Sequence, residues 1–159
     1  DTELAEVADQ SFIYSTYTAL WNTNDTPGMQ QVVEQMRERR PDAPVNDLYL
    51  LGWINGMIVR QVLEQAAANG DMTRAGVTQA AREITVDLEG LAPNQQWGGE
   101  PNDYIVRESY IYDIDLSAYT PGASVSDEDA GTGYTLIEGP YESQLATDFD
   151  YTGPCFVAE

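Results

Sequence analysis

The chain has 159 residues, 27 of them acidic and only 7 basic, giving a net charge of −20 and a pI near 4.1. A field this negative repels phosphate backbones and anionic headgroups, which argues against nucleic acid or a membrane surface as a partner. All seven basic residues are arginines and histidine is absent, so the commonest general base and the commonest metal ligand are both missing.

The opening DTELAEVADQ carries no signal peptide and runs into strand-like text, so we expect the natural N-terminus upstream and the sequence to be a piece of a larger protein. Residues 11–17 (SFIYSTY) are aromatic, β-branched and hydroxyl-rich, and predict a strand. Residues 18–25 form a connector. A helix then opens at Thr26-Pro27, with Met29, Val32, Val33 and Met36 on one face, arginines at its end and Pro41 as its stop.

The next helix, 47–68, contains the stretch LYLLGWINGMIV, uncharged and nearly all apolar. Its N-terminal half shows no wet face and is expected to be buried from nearly every direction, turning polar on one side at Arg60, Gln61, Glu64 and Gln65. It falls short of the roughly 20 apolar residues a membrane span needs. Tyr49, Trp53 and Asn55 are residue types that line small-molecule clefts, although a core helix with satisfied aromatics explains them equally well. Asn69-Gly70 ends this helix.

Thr73 caps a third helix, with an inner face of Val77, Ala80, Ala81, Ile84 and Leu88 and Gly90 as its stop. Residues 91–103 read as loop. Residues 104–116 return to strand, with Tyr110, Tyr112 and Ile114 on one face and Ser109, Ile111 and Asp113 on the other. An acidic loop follows, then a short strand at 134–138 and a tail without clear period. Cys155, the only cysteine, can form no intramolecular disulfide or Cys-His dyad, and we expect it packed between Pro154 and Phe156.

Three amphipathic helices and two confident strands do not balance. Two strands cannot form a sheet that buries three helices, so further strands are expected from upstream residues or another chain.

The ordered set of PGMQQVVEQMRERRP, DLYLLGWINGMIVRQVLEQAAANGDMTRAGVTQAAREI, GLAPNQQWGGEPND and YIVRESYIYDIDL resembles the C-terminal part of the type I periplasmic solute-binding proteins, in the branched-chain amino acid and amide class that feeds ABC importers. The resemblance covers about residues 8–116. It implies an α/β fold of two three-layer lobes joined by crossing strands, here as a fragment lacking its upstream strands. Residues 1–17 would end the second lobe and cross over, 18–103 would supply the helical part of the first lobe, and 104–159 would cross again and return. By position it nominates Tyr14, Tyr17 and Trp21 at the hinge and Tyr49 and Trp53 on the first-lobe wall as ligand contacts. The implied partners are a small amino-acid-like, amide or aromatic-acid ligand, the membrane subunits of an importer and the upstream half of the same protein. The implied location is periplasmic or extracellular, with a lipid anchor upstream as one form of attachment. No cofactor, metal site or enzymatic activity is expected.

Other readings remain open. A sensor domain of the same fold would differ in its attached segments. A carboxylate hydrolase would use Asp113 or Asp115, which read more simply as strand-end charges. Asp127, Asp129 and Glu138 occupy positions one, three and twelve of a calcium loop, but Thr132 stands where that loop needs glycine.

Overall fold

The computed structural model describes residues 2–152, so Cys155 and its neighbours lie outside the described residues. Helix α1 (Thr2–Ser11) leads into strand β1 (Ile13–Thr16), and a buried connector then reaches α2 (Pro27–Arg39). Thr26 caps α2 as its sequence predicts, its hydroxyl accepting the Met29 N–H at 3.4 Å, with Pro27 in the first turn. The arginine-rich end closes when the Arg40 N–H bonds the Met36 carbonyl.

Helix α3 (Leu48–Ala68) is the longest element, and Gly70 follows it at φ 74°, in the left-handed conformation that suits glycine at a helix stop. Its buried residues are Leu50, Ile54 and Met57 on one face of its first half and Val62 and Ala66, rotated around the helix, in its second half. The expectation of a first half buried on nearly every side is therefore corrected: Leu48 is 65% exposed, and Gly52, Asn55 and Gly56 are exposed too. The helix is apolar beyond the face that its neighbours cover.

Helix α4 (Arg74–Glu83) starts on Thr73, whose hydroxyl accepts the Gly76 N–H at 3.2 Å. It ends earlier than the spacing of Ile84 and Leu88 predicts. At Ile84 the chain turns extended (φ −114°, ψ 152°), and β2 (Thr85–Val86) pairs antiparallel with β3 (Gln95–Gln96). Leu88 is fully buried, but from a loop. A short helix α5 (Pro101–Tyr104) takes the start of the expected strand, because Asp103 accepts the N–H of Glu100 and closes a turn there. The strand itself, β4, runs Glu108–Tyr119, and β5 (Thr132–Glu142) is longer than the expected 134–138. Helix α6 (Gln144–Asp148) completes the described chain.

The main sheet has three antiparallel strands in the order β1-β4-β5. It supplies Tyr110 and Tyr112 to a single core that also takes Ala19, Leu20 and Trp21 from the connector and the inner faces of α2, α3 and α4. The alternation expected along residues 109–114 holds: Tyr110 and Tyr112 are buried while Asp113 is exposed. No helix among the described residues is long and apolar enough to cross a membrane.

Candidate functional site

The connector after β1 is where strand, helix and sheet meet. Trp21 is 2% exposed, and its backbone N–H donates to Asp47 Oδ1 at 2.7 Å. The same oxygen accepts the Thr132 hydroxyl at 3.1 Å. Asp47 stands at the start of α3 but makes no capping bond with its side chain. Its carboxylate instead ties the connector to the first residue of β5. The ring of Trp21 meets Tyr49 edge-on, with centroids 6.2 Å apart. Asp47 and Thr132 border an open groove of about 310 Å³ that Asn46 and Tyr119 also line.

A ladder of tyrosines crosses the sheet beside this junction. Tyr14 on β1 lies 5.4 Å from Tyr134 on β5, Tyr134 lies 6.3 Å from Tyr112 on β4, and Tyr112 lies 6.5 Å from Tyr110. The ladder runs from Tyr14, 41% exposed, to Tyr110 and Tyr112, both buried. Tyr112 Oη accepts the Leu20 N–H at 3.0 Å and lies 3.3 Å from the Thr23 hydroxyl, while Tyr110 donates to the Gly90 carbonyl at 3.0 Å. Burial, reinforced by Tyr112 and then Glu108, pushes the Tyr110 phenol up to about 12. Burial also raises Tyr112, against the lowering effect of its bonds to Thr23 and Leu20. Tyr134 is raised first by burial and then by the charge of Asp47.

Of the five residues that the sequence nominates, the structure brings Trp21 and Tyr49 into contact around Asp47 and puts Tyr14 at the open end of the ladder. Tyr17 stays 54% exposed just beyond β1. Trp53, one helical turn after Tyr49, lines a separate open groove of about 350 Å³ with Gln31, Gly52, Gly56, Met57 and Arg60. Asp47, Thr132 and Tyr134 were not nominated. A residue type typical of a helix cap conceals long-range use of its carboxylate, and nothing local to residue 47 announces residue 132.

Two of the rival carboxylates are engaged in structure. Asp115 accepts from Ser117 and, at 2.8 Å, from the Thr135 hydroxyl, and these bonds, Ser117 first, hold its carboxyl below the usual range. Asp127 accepts the Ser124 N–H at 2.8 Å within its own loop. Among the described residues no group of three or more histidine, cysteine, aspartate or glutamate side chains is arranged to hold a metal ion. The junction thus offers aromatic rings, hydroxyls and one carboxylate, the means to hold a solute by contact and hydrogen bond.

Comparison with known proteins agrees with this architecture. Among curated proteins no match was found. Among solved structures, the chain is similar to a fatty acid ABC transporter substrate-binding protein from Thermomonospora curvata, with 26% identity and a TM-score of 0.67 over 91% of this chain. The chain spans 33% of that neighbour's length. Residues 1–120 match the family model of the periplasmic binding proteins. Three-quarters of the sequence, from α1 through β4, thus falls under one family description, and the chain belongs to the periplasmic binding protein family and represents a fragment of its fold.

Proposed function

We propose that the chain is part of an extracytoplasmic solute-binding receptor that serves an ABC importer by closing two lobes over a small ligand. The observation that carries this reading is the family match, which spans two crossing-strand candidates, β1 and β4, and the helices between them. In this layout residues 1–17 end the second lobe, 18–103 belong to the first, and 104–159 cross again and return. The upstream half of the fold supplies the opposing wall, and the importer's membrane subunits receive the solute.

The Asp47 tie then lies at the hinge. It fixes the connector to α3 and β5, so rotation takes place about a pinned point instead of a loose loop. Tyr14, Tyr17, Tyr49 and Trp53 are the ligand-facing set, with apolar ring surface as their main offering, and Trp21, 2% exposed, backs Tyr49 from the core. That surface favours a solute with an apolar portion. A branched-chain amino acid, an aromatic acid and a longer aliphatic acid all meet the description, and the solved neighbour is a fatty acid ABC transporter substrate-binding protein.

A thermal-shift screen of the two-lobed protein against these three acid classes tests the reading. Binding of one class at 100 times its dissociation constant stabilises by about 2.7 kcal/mol, a shift of several degrees. No shift with any class overturns the reading.

A further inference from the structure

Twice in the sequence glycine directly follows asparagine, at Asn55-Gly56 and at Asn69-Gly70. Such a pair carries its own chemistry, because glycine has no side chain to restrict its backbone nitrogen or block its approach to the preceding amide. A freed glycine nitrogen attacks the asparagine Cγ. A nitrogen–carbon bond forms, the Cγ–Nδ2 bond breaks, and ammonia leaves with the proton of the glycine N–H, which closes a succinimide ring. Water then opens the ring at either carbonyl, giving aspartate or isoaspartate. Freedom of the backbone nitrogen controls the first step.

The structure sets the two pairs in opposite surroundings. Both asparagines are exposed, so the difference lies in the backbone. Asn55 sits about two helical turns or more from either end of α3. Freeing the Gly56 nitrogen there means opening the helix in its interior. Asn69 is the residue that ends α3, at φ −72° and ψ −13°, and Gly70 already lies outside the helix at φ 74°. The Gly70 N–H is held by a bond of the closing turn, to the Ala67 carbonyl at 3.0 Å, and a Cβ built on Gly70 meets nothing within 4 Å. Helix ends open at much lower cost than helix interiors. The closing turn can therefore release this nitrogen while the rest of α3 stays folded.

The side chain of Asn69 fastens α3 to α4. Its Nδ2 donates to Glu83 Oε2 at 2.8 Å, and its Oδ1 accepts from Gln65 Nε2 at 2.9 Å. Hydrogen bonds from Gln79 first and then Asn69 hold the Glu83 carboxyl below the usual carboxylate range. Conversion of the amide to an acid replaces the donor with a second carboxylate facing Glu83. It also puts negative charge at a helix C-terminus, where the dipole disfavours it.

We propose that Asn69 is a site of spontaneous deamidation in the folded protein, while Asn55 is protected, and that conversion of Asn69 unfastens the end of α3 from α4. The site is independent of the solute-binding reading.

The test incubates the two-lobed protein in mildly alkaline buffer, folded and in urea, and maps its tryptic peptides by mass. Cleavage after Arg60 and Arg74 puts Asn69 in residues 61–74 and Asn55 in a separate peptide. In the folded protein Asn69 should convert roughly tenfold or more faster than Asn55, with isoaspartate among the products, and urea should erase the difference. Asn69→Asp should lower the melting temperature by roughly a few degrees, and adding Glu83→Gln should recover most of that loss. Equal rates at the two asparagines in the folded protein, or conversion of Asn69 only in urea, would overturn the site. A melting temperature indifferent to Asn69→Asp, or a loss that Glu83→Gln leaves unchanged, would overturn the unfastening.

Discussion

Asp47 joins more of the molecule than any other polar side chain at the junction. One oxygen receives the Trp21 N–H and the Thr132 hydroxyl, from segments 26 and 85 residues away. Asp47→Ala leaves the Trp21 N–H, buried with its residue, without a partner, and we expect a loss of about 1–3 kcal/mol in urea unfolding. Asp47→Asn keeps an accepting oxygen and should lose less. Equal losses in the two variants would show that charge, and not the acceptor, carries the tie. The tyrosines give a pH signature at the same scale. The Tyr110 phenol ionises near 12 in the folded protein, against an ordinary value of 10 in the unfolded chain. Both states are neutral below pH 10, so the stability due to its burial is fully present there. It is lost between pH 10 and about 12, where the unfolded chain has released the proton and the folded chain has not. Absorbance titration at 295 nm should therefore show a phenol that ionises only as the protein unfolds, and Tyr110→Phe should remove it. A single transition near 10 for every tyrosine would contradict the buried placement.

The helices show where local chemistry speaks clearly and where it is overruled. Thr26 and Thr73 both cap as expected, and replacing either with alanine should cost about 1 kcal/mol, measured by thermal or urea unfolding. A negligible effect at both would mean that water replaces the hydroxyls. The starts of α2 and α4, the full length of α3 and the alternation of β4 were all readable, because each rests on a cap, a stop or a period contained within a few residues. The end of α4 was not. Ile84 and Leu88 continue a helical period, yet pairing of residues 85–86 with 95–96 pulls the backbone into a strand, a decision made ten residues downstream. Helix α1 was missed because DTELAEVADQ offers only two large apolar residues, Leu4 and Val7, too few to show a helical period. Strand β5 was read too short because Gly133, Gly139 and Pro140 interrupt its pattern, although its register against β4 continues from Thr132 to Glu142. The nominated aromatics were readable as residue types. The partners that organise them, Asp47, Thr132 and Tyr134, were not, since their contacts run between segments 22 to 120 residues apart.

At the scale of the molecule, strand counting from sequence anticipated an incomplete fold. The described chain lengthens β5 and adds a two-stranded pair to the strands expected, and α3 still keeps a bare apolar face. That imbalance agrees with a family match over residues 1–120 and with a solved neighbour three times the length of the region shared. Composition contributes a charge so negative that anionic surfaces are poor partners, whereas the aromatic junction leaves the solute's class to experiment. The measurement that bears most directly on the clamshell account is small-angle X-ray scattering of the two-lobed protein, with and without the acid that shifts its melting. The account predicts a smaller radius of gyration on binding, and loss of that contraction in a variant that abolishes binding. An unchanged radius at saturating ligand would contradict closure about the Asp47 junction.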